Sequence, residues 1–195
     1  RDFVPVSDAM LRSPAPDDWL MYRRSYDSWA YSPLAQINGD NVGRLEIAWS
    51  RAMTSGRQYI TPLAYRGVLY IESPRDILQA LDAKSGDLIW EYRWQSPDPA
   101  SATVAAGTHV RGTRSIAIYG ERLYHLTADA HLIAVNARTG ALEWAVAETA
   151  REGGITHSAG PIVVAGKVIS GRGAAPRGGP EVSYIAAHDA ATGRE

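Results

Sequence analysis

The stretch Ala80-Leu-Asp-Ala-Lys-Ser-Gly-Asp-Leu-Ile-Trp90 returns as Ala134-Val-Asn-Ala-Arg-Thr-Gly-Ala-Leu-Glu-Trp144 and starts again as Ala187-His-Asp-Ala-Ala-Thr-Gly-Arg-Glu195. The Asp or Asn positions 82, 136 and 189 are spaced by 54 and then 53 residues. Near-constant spacing, with tryptophan at the same offset in two copies, marks a repeat rather than a chance match. The physics of each copy is readable. A short polar side chain at 82, 136 or 189 bonds the backbone across a turn. The glycine at 86, 140 or 193 supplies the positive φ that the turn needs. Trp90 and Trp144 leave the turn on the next strand, placed to dock between neighbouring sheets.

Around this stretch the chain breaks into short, largely β-branched runs with turn residues between them. Examples are Gly67-Val-Leu-Tyr-Ile71, Ser115-Ile-Ala-Ile-Tyr119, Arg122-Leu-Tyr-His-Leu126, His131-Leu-Ile-Ala-Val135, Pro161-Ile-Val-Val164 and Lys167-Val-Ile-Ser170. Strands at this density predict an all-β protein. A unit of about 50 residues with four short strands is a β-propeller blade, and a ring needs about four to eight of them. The expected organisation is an N-terminal segment over 1–50, then two blades and the start of a third over 51–195. The last copy breaks off before its tryptophan, so this chain alone is not expected to close a propeller. A remaining propeller polypeptide is its expected partner. Helical periodicity is weak, and the best short helix lies near Asn41–Leu45, with Asn38 or Asp40 to cap it.

Composition narrows the classes further. Of 195 residues, 45% are hydrophobic and 21% charged, which argues against disorder. With 20 basic against 21 acidic residues, the chain is no dedicated nucleic-acid or polybasic membrane-surface protein. No apolar run approaches the ~20 residues of a membrane helix. No apolar signal core stands near Arg1, so the chain reads as mature or trimmed. With no cysteine, disulfides, thiolate metal sites and covalent haem are excluded on this chain. Six Trp and ten Tyr against one Phe favour rings with one polar end at layer edges.

Three N-terminal stretches carry a further signature: Asp18-Trp-Leu-Met-Tyr-Arg-Arg-Ser-Tyr26, Tyr31-Ser-Pro-Leu-Ala-Gln-Ile-Asn38 and Asn41-Val-Gly-Arg-Leu-Glu-Ile-Ala-Trp49. Together with Thr61-Pro-Leu63, Arg114-Ser-Ile-Ala-Ile-Tyr119 and Ser158-Ala-Gly-Pro161, they resemble the opening of the pyrroloquinoline quinone (PQQ)-dependent alcohol dehydrogenases. That resemblance implies part of an eight-bladed quinoprotein propeller. It implies a cofactor wall to which Arg114 brings a guanidinium that forks to a carboxylate or quinone oxygen. Ser158 falls where the family has a threonine that bonds a cofactor carboxylate, and Ser170-Gly171 opens a stretch near the cofactor.

Departures from the family pattern are equally specific. The vicinal cysteine pair that many members carry over the quinone falls on Thr108 and His109. The glutamate before the Thr-Pro pair is Tyr59. The position of the calcium-binding glutamate is Gly173, beside Arg172. A branch with two further cysteines in this loop corresponds to Ala174 and Ser183. Glu181 is the one carboxylate of the loop and the candidate metal ligand.

The resemblance implies oxidation of an alcohol to an aldehyde or ketone, with PQQ, a calcium or lanthanide ion and cytochrome c or a similar acceptor. It also implies a periplasmic or secreted location. No catalytic residue is expected within the chain, because the family's aspartate base belongs past Glu195, so the isolated chain is expected to be inactive. The alternatives are a non-catalytic propeller scaffold and a degenerate homologue that has lost metal or quinone.

Overall fold

The computed structural model describes residues 2–56, 58–97, 114–148, 155–156, 159–174 and 184–195. Three antiparallel sheets dominate. The first holds β1 (Leu63–Tyr65), β2 (Val68–Ser73), β3 (Ile77–Asp82) and β4 (Leu88–Arg93) in chain order. The second repeats this with β5 (Ala117–Tyr119), β6 (Arg122–Leu126), β7 (His131–Asn136) and β8 (Leu142–Ala147). In the third, β10 (Ile162–Val164), β11 (Lys167–Ala174) and β12 (Tyr184–Asp189) follow the same order, and β9 (Ile155–Thr156) pairs with the far end of β11. These are propeller blades, and three of them do not close a ring.

The repeat that predicts the blades also explains their joints. Asp82 Oδ1 accepts from the amides of Lys84 and Ser85, and Asn136 and Asp189 do the same in their turns. Gly86, Gly140 and Gly193 follow at φ of +76°, +74° and +73°. The first two sheets slip register at the same place, before Leu81 and before Val135. Each tryptophan then lies flat on the glycine of the next blade. Trp90 covers Gly140 and donates from Nε1 to the Ala137 carbonyl at 3.0 Å. Trp144 covers Gly193.

Trp49 covers Gly86 in the same way and donates to the Ala83 carbonyl at 3.1 Å. Trp49 is thus a third docking tryptophan, and the segment before it sits where the outer strand of a preceding blade would be. The expected helix beside it is only a 3-10 turn, Val42–Arg44. Its polar side chains are spent on the loop instead: Asn41 Oδ1 accepts from the Asn38 amide, and Asn38 Oδ1 from that of Asp40. A short α-helix, α1 (Asp8–Arg12), forms elsewhere, capped by Ser7.

The core runs between the blades. Leu63, Tyr70, Leu78, Leu123, Tyr124, Leu126, Leu132 and Val168 are buried in one cluster. Each fully buried aliphatic side chain contributes about 1.5–3 kcal/mol over an exposed one. Strand β3 is buried along both faces, whereas outer strand β8 is mostly open.

The N-terminal segment crosses one end of the innermost strands. Trp19 bridges to Ala64 of β1, and Val6 bridges to Gly120 in the β5–β6 turn. Asp8 accepts from the Tyr119 hydroxyl at 3.0 Å and from the Ala165 amide, in the β10–β11 turn, at 2.9 Å. This end is covered. The opposite end, where the inner strands begin, is where the site lies.

Candidate functional site

Residues just before β1, β5 and β10 meet side by side at that end. Thr61 forms a parallel bridge with Ser115, and its amide donates to the Arg114 carbonyl at 3.0 Å. Gly160 closes against the same point. A Cβ on it would lie 1.9 Å from the Ser115 carbonyl oxygen and 2.2 Å from Ser115 Oγ, so only glycine fits. Thr61, Arg114 and Gly160 therefore share one wall, with Tyr59 two residues before Thr61 in the chain. Tyr59 and Arg114 are exposed, and among the described residues the Arg114 guanidinium has no hydrogen-bond or ion-pair partner. A fixed backbone beneath an exposed fork of donors suits a ligand that carries carboxylates.

Ser170 and Gly171 lie on β11, which runs back toward the same end. The Ser170 side chain is turned away from solvent, and its hydroxyl donates to Glu148 at 2.7 Å. Gly171 is exposed, and Arg172 pairs with Tyr184 through the backbone ladder. Gly173, at the expected metal position, pairs with Thr156. Thr108, His109, Ser158, Glu181 and Ser183 lie outside the described residues. The structure thus brings Thr61 and Arg114 together at one end, with Tyr59 two residues before Thr61 and Gly171 and Gly173 on the strand behind β10.

The sequence reading assigned no role to a cluster one strand behind this wall. Glu72 of β2, Asp76 of the β2–β3 turn and His125 of β6 present ligand-type atoms within 4.8 Å of one another, and all three are buried. His125 Nε2 lies 2.9 Å from Asp76 Oδ1, and Nδ1 lies 4.0 Å from a Glu72 carboxylate oxygen. The Asp76 oxygens also accept from the Ala128 amide at 3.2 and 3.1 Å. The two ring nitrogens face different carboxylates, so this is a bridge rather than an open cage for one ion. Burial works against a charged ring here. The Glu72 and Asp76 carboxylates, with Asp129 behind them, outweigh it and hold the His125 pKa above its ordinary value. The available sequence signal was a histidine at a buried position of the repeat.

Beside it, Asp129 accepts from Trp94 Nε1 at 2.9 Å and from the Thr127 hydroxyl. Its burial opposes ionisation, but hydrogen bonds from Ser96, Thr127 and Trp94 and the nearby His131 prevail and keep its pKa low. The described wall itself presents no carboxylate that fits a divalent ion, since Gly173 has no side chain. A cavity of about 1030 Å³ opens at the covered end among Phe3, Asp18, Tyr65, Arg66 and Trp90, away from the wall.

The PQQ family model, described as a glucose/ethanol/alcohol dehydrogenase β-propeller domain, matches residues 19–195. The quinone-dependent alcohol dehydrogenase subunit of Gluconobacter oxydans is 37% identical over 92% of this chain and 24% of its own length. A quinohemoprotein alcohol dehydrogenase of Pseudomonas putida is 36% identical over 92% of this chain and 25% of its own. Among solved structures, the Pseudomonas putida HK5 enzyme superposes on all of this chain and 28% of its own, with a TM-score of 0.85 at 35% identity. A europium-containing methanol dehydrogenase superposes on 93% of this chain and 31% of its own, with a TM-score of 0.79 at 28% identity. The chain spans about a quarter of the length of the curated relatives it matches. With the repeat, the docked tryptophans and the match over 19–195 in agreement, this chain belongs to the PQQ-dependent alcohol dehydrogenase family of β-propellers.

Proposed function

We propose that this chain forms part of the cofactor wall of a PQQ-dependent dehydrogenase that oxidises an alcohol to an aldehyde or ketone. The observation that carries the reading is the Thr61–Arg114 junction, which fixes the backbone under an exposed guanidinium on the uncovered end of the inner strands. Arg114 would fork to a carboxylate or carbonyl oxygen of the cofactor, and Tyr59 would add a hydroxyl donor beside it. Ser158 would bond a cofactor carboxylate, with Thr108 and His109 over the ring and Gly171 and Arg172 at the rim. When bound, PQQ supplies the two-electron oxidant, and the protein holds and orients it.

The metal and the base are proposed to come from polypeptide beyond this chain, because Gly173 brings no ligand. Glu181 would add one oxygen, for calcium or a lanthanide. A periplasmic or secreted site of action, and cytochrome c or a similar carrier as acceptor, complete the reading. The name of one relative, a 1-butanol dehydrogenase (cytochrome c) of Thauera butanivorans, supports that acceptor.

The test is a quinone titration of the full-length protein, followed by absorbance. Loss of one charge-assisted hydrogen bond is worth about 1.5–3 kcal/mol, so Arg114→Ala should weaken PQQ about 10- to 100-fold. Arg114→Lys should recover part of that. Unchanged affinity in Arg114→Ala would remove Arg114 from the site. No binding by the unaltered protein would favour the degenerate homologue, a reading that the uncharged Tyr59 and Gly173 also support.

A further inference from the structure

Positions 71, 125 and 170 are the same position of the repeat. His125 lies opposite Ile133, three residues before Asn136. Ile71 lies opposite Gln79, three before Asp82, and Ser170 opposite Ala186, three before Asp189. All three are buried. At 125 and at 170 the polar tip reaches back to a buried carboxylate of the preceding blade. His125 meets Asp76 and Glu72, and Ser170 meets Glu148. The joint between the first two blades and the joint between the second and third are therefore each pinned at one height.

That height is the level of the wall. Leu63 pairs with Tyr70, which sets Thr61 beside Glu72. Ala117 pairs with Tyr124, which sets Ile116 beside His125, two residues from Arg114. Glu72 and His125 thus lie one strand behind Thr61 and Ile116, at the level of the Thr61–Arg114 bond.

We propose that His125 is a positioning residue, held as an imidazolium between Asp76 and Glu72, whose proton latches the first blade to the second and so sets the wall on which the cofactor rests. The latch stands on the geometry alone, and its effect on the cofactor rests on the function proposed above. A buried cation between two carboxylates is tolerated because it is paired and hydrogen-bonded, and without its proton the two carboxylates of the first blade lose the charge that holds them to the second and repel each other. The charged groups facing the ring are Glu72 from β2, Asp76 from the β2–β3 turn and Asp129 from the loop after β6. Their combined pull makes the latch complete below the ordinary histidine pKa and opens it as pH rises through the raised one.

The experiment uses the full-length protein and His125→Gln. Thermal midpoints are read from pH 6 to 10. The unaltered protein should exceed the variant by about 2–4 °C at the acid end, and the gap should close at the alkaline end. A gap that stays constant with pH would overturn the latch. Should His125→Gln fail to fold, nitrogen-15 NMR of the unaltered protein decides, with the His125 ring expected to lose its proton only above the ordinary histidine pKa. A ring that titrates at or below that value overturns the proposal. PQQ affinity should fall about 5-fold or more through the same transition in the unaltered protein but not in the variant. Affinity that ignores the transition overturns the positioning role. No PQQ binding at any pH overturns the cofactor reading, while the thermal and NMR readings still judge the latch.

Discussion

Gly140 obeys two constraints at once. Its φ of +74° disfavours any side chain, and a Cβ there would press to 2.7 Å from Trp90 Cε3. The first constraint comes from the chain's own turn, the second from the neighbouring blade. Gly140→Ala should therefore cost about 2–4 kcal/mol, combining left-handed strain with overpacking. Gly39→Ala is the control, because nothing lies within 4 Å of a Cβ there. Urea denaturation of both variants checks this, with Gly39→Ala expected to leave the midpoint unchanged. The turn requirement at Gly140 was legible in the sequence. The packing requirement was not, because it depends on a tryptophan fifty residues away in the chain.

At the scale of elements, the docked tryptophans are alike in stacking but differ in hydrogen bonding. Trp90 gives its Nε1 proton to Ala137. The equivalent acceptor for Trp144 is the Ala190 carbonyl, which already accepts from the Tyr124 hydroxyl at 3.0 Å. Among the described residues Trp144 Nε1 has no partner. Trp90→Phe should then cost about 1 kcal/mol more than Trp144→Phe, measured by chemical denaturation. The sequence showed Trp90 and Trp144 as repeat members because an Asp- or Asn-x-x-x-Gly turn precedes each. Trp49 escaped that reading because no such turn stands before it, and only its seat on Gly86 reveals the equivalence. Strands β7 and β10 were legible for the opposite reason, since β-branched runs between turn residues need no long-range information. The His125 bridge was not legible. Its partners lie 49 and 53 residues upstream, and nothing but the blade-to-blade packing joins them.

Across the whole molecule, the N-terminal segment leaves an apolar surface. Trp29 and Ile47 are 80% and 88% exposed, with Ile37, Leu45 and Val42 open beside them in sequence. So much exposed apolar surface is costly in water and favours association. The 195-residue chain on its own should bind a hydrophobic dye and self-associate as its concentration rises. Ile47→Lys should reduce both, as dye fluorescence and sedimentation would read. Dye binding at the level of an ordinary monomer would contradict that expectation.

Asp8 holds the Ala165 amide, a contact between residues 157 positions apart in sequence. A ribosome delivers Asp8 early and Ala165 only after most of this chain has been made. The segment that covers the inner strands can seat on β1 and on the β5–β6 turn as those form, but it completes its seat only when the third blade arrives. Synthesis order and docking order are reversed at this end of the molecule. A pause in translation just before Ala165 would lengthen the time during which the covering segment is held by the first two blades alone, and the hazard of misassembly with it.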